Sequence, residues 1–312
     1  MSQRVKISVM TYHHRLTGAD LAQLLGSFTL HLRAERKSPQ TVKTYGDGVR
    51  AFLSWCEREG IEPALDRPTV DKFTAGLLDA GAEPSTARSR QLAVRRFSAW
   101  LASEDEIAGD QLVRLAPPKL DIKAIQPLID DELRALLAAC RGPDLRDKRD
   151  EAIIRLMIET GARAGEVIDM AVADVDLSAG TAVIRRGKGG KARSVPFGPR
   201  TGSAIDRYLR ARRRHRLAGS EALWLGQGGK AFGYYALRDT LAYRAARAGI
   251  RNVHPHMFRH TAAHRWLSAG GSEGGLMAVA GWSRPDMLLR YTRARAEQRA
   301  AEEAKRLHLG DL

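Results

Sequence analysis

HPHMFRHTAAHRWLSAGGSEGGLMAVAGWSRPDMLLRYTRA, residues 254–294, is the stretch around which the chain is organised. His256 and Arg259 stand three apart in it, and residues at that spacing are neighbours on a helix. One helical face can then offer a proton-transfer group and a fixed cation to the same atom. Trp282 follows a glycine and adds a single N–H donor. Tyr291 lies nine residues further on and adds a phenol that can donate, accept or attack. An arginine and an indole N–H facing a tyrosine oxygen suit a phosphate. A phosphate needs more cations, and the rest of the chain has to supply them.

The supply is uneven along the chain. The formal charge is +15, and residues 1–127 carry 18 Lys+Arg against 15 Asp+Glu, whereas residues 128–312 carry 33 against 21. A second half with a net charge of +12 points to a polyanionic partner, most often nucleic acid. Composition allows a blander account, an arginine-rich soluble protein. A length of 312 residues suits two ordinary domains. Cys56 and Cys140 fall in separate helical segments and read as small buried hydrophobes in a reducing compartment. No run approaches the roughly 18 apolar residues of a membrane span, and the polar start MSQRVKISVMTYHHRL is no signal peptide. The expectation is a cytoplasmic protein that stays off the membrane.

Two upstream stretches carry the missing cations. In TGARAGEV, Arg163 sits between Gly161 and Gly165 at the start of a helix, where small neighbours let a ligand approach. Glu166, three residues on, can orient Arg163 by a charged hydrogen bond. In VIRRGKGGKARSVPF, Lys188 lies on a glycine-rich turn with Arg185, Arg186, Lys191 and Arg193 close by. A lysine on such a tip can reach a leaving oxygen and give it a proton. Each residue has an ordinary reading as well. Arg163 suits a surface cap, Lys188 a plain phosphate contact, His256 a helix-start histidine, Trp282 a core residue, and Tyr291 a half-buried phenol. The neighbouring His254, His260 and His264 have spacings that could hold a metal, but no matching Cys or carboxylate set accompanies them.

Periodicity predicts a mainly α fold. Residues 1–19 read as a loose basic arm. Helices are expected over 20–31 (Leu21, Leu24, Leu25, Phe28), after Ser38-Pro39 up to Gly60, from a Thr69 cap, and from Pro84-Ser85 to Leu101. Together they make a four-helix module over 20–105. Pro117, Pro118 and Pro127 mark residues 106–127 as an extended linker. Residues 128–312 form a second, mostly helical domain. Its helices start at Asp130, Asp147, Gly161, Thr201, Tyr234 and His256, and one small antiparallel hairpin carries the Lys188 tip.

The ordered set Arg163, Lys188, His256, Arg259, Trp282, Tyr291 is far more specific than any of its members. With these boxes the chain resembles the tyrosine recombinase, or phage integrase, family over roughly residues 20–300. TGARAGEV looks like the family's first arginine box, and the hairpin looks like its lysine box. HPHMFRHTAAHRWL is similar to its His-x-x-Arg box, with Phe258 where Leu is commonest. AVAGWSRPDMLLRYTRA is similar to its final box, with Trp282 where many members have His. SPQTVKTYGDGVRAFLSWCEREG resembles part of the family's core-binding domain.

The resemblance implies a DNA cutting-and-rejoining enzyme with a 3′-phosphotyrosyl intermediate and no metal or nucleotide cofactor. Arg163 and Arg259 would clamp the phosphate, Trp282 would donate a third hydrogen bond and Tyr291 would attack. His256 would take the phenolic proton and Lys188 would protonate the leaving 5′ oxygen. The partners implied are double-stranded DNA and further copies of the chain, as a tetramer on paired sites, with room for an accessory directionality protein. Such a protein would associate with the nucleoid. A type IB topoisomerase-like nicking-closing enzyme and an inactive DNA-binding relative remain as alternatives. The helix-forming tail RAEQRAAEEAKRLHLGDL, 295–312, would dock on the next protomer.

Overall fold

The computed structural model describes residues 16–120, 126–185, 192–282 and 288. The loose arm over its first 15 residues, the hairpin tip with Lys188, Tyr291 and the tail lie outside the described residues. The chain divides into two compact units, Met1–Lys123 and Ala124–Leu312. The fold is mainly α, with one small antiparallel sheet.

The first unit holds α1 (Gly18–Ala34), α2 (Pro39–Glu59), α3 (Arg67–Asp79) and α4 (Pro84–Ser103). The α1 helix starts inside the stretch read as an arm, because Thr17 and Asp20 cap each other's backbone N–H groups. Ser38 caps α2, with Pro39 in the first turn, and Gly60 ends it in the left-handed conformation at φ 66°. The cap of α3 lies three residues before the expected Thr69. Asp66 is its cap, and Thr69 is the residue whose N–H donates to that carboxylate at 2.9 Å. Two aromatic clusters fill the interior. Phe28, Phe97 and Trp100 pack with ring centroids 5.3–5.9 Å apart, and Phe73 lies 5.3 Å from Phe52 and 5.6 Å from Trp55. The α2 and α4 helices cross so closely that a Cβ at Gly48 would lie 2.4 Å from that of Ala93.

Residues 110–116, read from sequence as part of an extended linker, fold onto this unit instead. Leu112 and Leu115 are buried beside Phe52 and Val94. Arg95 donates to the carbonyls of Leu112 and Val113, Gln91 donates to that of Ala116, and Ser98 donates to Asp110 at 2.6 Å. Irregular backbone is stable there because side chains of α4 satisfy its polar groups.

The second unit runs α5 (Asp130–Ala138), α6 (Leu145–Thr160), α7 (Ala164–Ile168), β1 (Val175–Asp176), β2 (Thr181–Ile184), β3 (Arg193–Pro196), α8 (Pro199–Arg212), α9 (Tyr234–Arg247), α10 (Pro255–Ser268) and α11 (Glu273–Ala280). The sheet order is β1-β2-β3, antiparallel throughout, with Ala182 opposite Val195 and Ile184 opposite Arg193. The α6 helix runs through the middle of the core. Ile153, Ile154, Leu156 and Met157 are fully buried, and so are the charged Arg149 and Asp150. Asp150 accepts from Arg149 and from Arg244 of α9, and Arg244 also donates to Asp147 at 2.8 Å. Cys56 and Cys140 are both buried, which pushes their thiols up to about 11 and about 12. Among the described residues no helix is long and apolar enough to cross a membrane.

Candidate active site

The first cation sits where α6 stops. Gly161 takes the left-handed conformation at φ 61° and closes α6, and the chain turns so that Arg163 becomes the N-cap of α7. Glu166 lies one helical turn on. It accepts from the Arg163 backbone N–H at 2.8 Å and from Arg163 Nη1 at 2.8 Å. The short helix thus holds Glu166 in place to orient Arg163. A third residue joins them. Arg193, the first residue of β3, donates Nη2 to Glu166 Oε2 at 2.7 Å and Nη1 to Oε1 at 3.1 Å.

Burial alone would raise the Glu166 carboxyl, but hydrogen bonds from Arg193 and Arg163 outweigh it and hold the group below the usual glutamate range. A depressed carboxyl stabilises the fold above its unfolded pKa, and that stabilisation is lost as pH falls through the folded value. Glu166→Gln should therefore flatten the acid limb of stability below about pH 4.3, read as urea midpoints from pH 7 to pH 3. An acid limb as steep as in the parent would place the responsible carboxylate elsewhere.

Arg259 of α10 is 2% exposed. Its Nη1 donates to the Gly161 carbonyl at 2.8 Å and its Nη2 to the Ala280 carbonyl at 2.6 Å. These carbonyls belong to the C-terminal ends of α6 and α11, where helices leave C=O groups without intrahelical partners and the dipole favours a cation. One guanidinium therefore closes two helices. It also lies 5.2 Å from the Trp282 ring centroid.

Trp282 follows Gly281, which ends α11 at φ 63°. Its backbone N–H donates to the Met277 carbonyl at 2.9 Å, and its ring packs with Leu267, Leu276, Ala280 and Leu288. Arg193 reaches this end too, donating Nε to the Val279 carbonyl at 2.9 Å. A Cβ at Gly281 would stand 3.0 Å from the Arg193 guanidinium, so glycine meets both the left-handed backbone and the crowding there.

The structure thus brings together the segments of Arg163, Arg259 and Trp282, which are separated by up to 119 positions in sequence. His256 lies one turn before Arg259 on α10, but the two meet different surroundings. Arg259 is buried, whereas His256 is exposed with its ring edge-on to His260 at 4.8 Å. Three residues turn a helix by about 300°, which leaves such a pair about 60° apart and allows this split at the rim of a buried face. Lys188 and Tyr291 lie outside the described residues. Arg193 was visible in sequence only as one of several cations near the lysine tip. Its partner is 27 positions away, and no spacing rule connects them.

A family model described as the phage integrase family matches residues 126–298, and one described as the phage integrase N-terminal SAM-like domain matches residues 25–105. The chain is a member of the tyrosine recombinase, or phage integrase, family. It is 31% identical over 261 residues to tyrosine recombinase XerC of Xanthomonas campestris pv. campestris, covering 82% of this chain and 79% of that one. Its fold is shared by the XerH site-specific recombinase bound to palindromic difH substrate in a post-cleavage complex (19% identity, TM-score 0.71, 93% and 84% of the two chains). The Tn1549 transposon integrase in complex with transposon right end DNA shares it too (18% identity, TM-score 0.71, 94% and 99%). All six candidate residues of this tyrosine recombinase fall within the span of the first family model.

Proposed function

We propose that the protein is a site-specific DNA recombinase that cuts and rejoins duplex DNA through a 3′-phosphotyrosyl bond at Tyr291, without metal or nucleotide. The observation that carries the reading is the Arg259–Gly161 hydrogen bond of 2.8 Å, which ties the second arginine to the turn that presents the first. In this reading Arg163 and Arg259 hold the non-bridging oxygens of one phosphate and stabilise the crowded transition state. The Trp282 indole N–H gives a further hydrogen bond. The Tyr291 oxygen attacks phosphorus as the bond to the 5′ oxygen breaks. His256 takes the phenolic proton, and Lys188 gives one to the departing oxygen. A 5′-hydroxyl from another strand then reverses the step, and the covalent bond conserves the phosphodiester energy. The partners are double-stranded DNA and other copies of the chain, assembled as a tetramer on paired sites. The XerH and transposon integrase complexes with DNA and the +12 charge of residues 128–312 support the nucleic-acid partner.

The test is a trapping experiment. The chain, with chelator present, is mixed with duplexes nicked beside candidate cut positions, so that the short released fragment bearing the free 5′-hydroxyl diffuses away. A covalent protein–DNA species should accumulate, and proteolysis with mass spectrometry should find the nucleotide on the peptide containing Tyr291. An adduct on another residue, or one that requires a divalent ion, would overturn the mechanism.

A further inference from the structure

A phosphate clamp at Arg163 needs guanidinium N–H groups that Glu166 does not hold. A carboxylate offers about four acceptor sites, and those of Glu166 are all taken. Oε1 accepts from Arg163 Nη1 at 2.8 Å and Arg193 Nη1 at 3.1 Å, and Oε2 accepts from the Arg163 backbone at 2.8 Å and Arg193 Nη2 at 2.7 Å. The division is unequal. Arg193 takes the carboxylate with both arms of its fork, whereas the Arg163 guanidinium touches it through one nitrogen. The Arg193 side chain is 12% exposed and is anchored by the Val279 carbonyl, while that of Arg163 is 31% exposed. A buried carboxylate at 5% exposure without Arg193 would draw in its remaining cation, because a buried charge without a full partner is costly. Arg163 would then turn its fork onto Glu166 and away from solvent.

We propose that Arg193 is a positioning residue: by saturating Glu166 it lets that carboxylate orient Arg163 through a single contact and leaves the rest of the guanidinium to the DNA phosphate. This rests on the proposed function. It assigns Arg193 a role distinct from the DNA contacts that its basic neighbours suggest.

The experiment measures single-turnover adduct formation at saturating nicked duplex with the full chain, beside duplex affinity. Arg193→Gln should slow adduct formation about 10- to 100-fold, the loss typical when the support behind a functional group is removed, with affinity within about twofold. In a Glu166→Gln background the same change should cost less than about threefold, because a neutral amide does not draw Arg163 in. Arg193→Lys keeps the charge but not the fork and should fall between. It also carries the same cycle if the glutamine variant does not fold. A parent-like rate in Arg193→Gln overturns the proposal. So does an undiminished cost in the Glu166→Gln background, which would assign Arg193 to the end of α11 alone, and so does affinity falling in step with rate. A parent chain that forms no Tyr291 adduct would remove the functional reading itself. A parent that forms the adduct with an additive cycle would remove only this proposal.

Discussion

Tyr291→Phe is expected to bind duplex DNA as the parent does and to form no covalent adduct, a loss of about 10⁴-fold or more. In the proposed mechanism the phenol oxygen is the atom that joins phosphorus, and phenylalanine has the same ring without it. The chain has seven tyrosines, so a substitute has to be considered, and the fold removes several. Tyr208 is fully buried against Trp224, donates to the Leu223 carbonyl, and has its phenol raised by that burial. Tyr45 packs in the first unit, whereas Tyr243 stays exposed beneath the Arg146 guanidinium at 4.2 Å. Tyr234 and Tyr235 are exposed at the start of α9, and with Tyr243 they are the fair controls, Tyr243→Phe being made singly. Tyr234→Phe combined with Tyr235→Phe should leave the adduct intact. Adduct formation that survives Tyr291→Phe but falls with that pair would move the nucleophile to α9.

Asp150→Ala is expected to destabilise the second unit by about 3–5 kcal/mol. Asp150 is wholly buried and faces two buried arginines, Arg149 at 2.7 Å and Arg244 at 2.7 Å. Both have other partners: Arg149 donates to the Leu225 carbonyl and lies over Phe232, and Arg244 donates to the Ala139 carbonyl and to Asp147. Only Asp150 joins the two. Without it the two guanidinium groups keep, among the contacts of the described residues, Asp147 as their carboxylate partner. Unfolding in urea, followed by tryptophan fluorescence and by circular dichroism, should show the midpoint shift with little change in slope. A shift under about 1 kcal/mol would mean that water or rearranged side chains replace the carboxylate at little cost.

Local signals were legible wherever the physics is local. Ser38-Pro39 and Gly60 mark the two ends of α2 because a hydroxyl cap, a fixed φ and a left-handed glycine each act within one turn. The hairpin strands are expected at Val183-Ile184 and at residues 194–197, around a glycine-rich tip, and are found as Thr181–Ile184 and Arg193–Pro196. The two-residue β1 has too few positions to show any alternation. Thr69 reads as a cap because its residue type suits one, but Asp66 three positions earlier suits one too, and only the structure shows which N–H meets which oxygen. The fold-back of residues 110–116 depends on Arg95 and Gln91, which contact carbonyls 17 to 25 positions away. The charged centre around Asp150 was hidden for the same reason. Helical periodicity sorts apolar from polar residues, so a buried arginine reads as a surface one. Of the candidate site, the residue identities came from sequence. The contacts that set Arg163 and Arg259 in place came from the fold.

The hold of Arg259 on two helix ends has a consequence for safety. A chain that cuts DNA with its own side chain carries a hazard whenever it is half-made or half-melted. The arginine proposed to grip the phosphate is also the one that closes α6 and α11. Fraying at either end frees the guanidinium to wander and dismantles the grip in the same event. Under the proposed function, competence to cleave is then conditional on the structural integrity of the second unit, an interlock that needs no separate inhibitor.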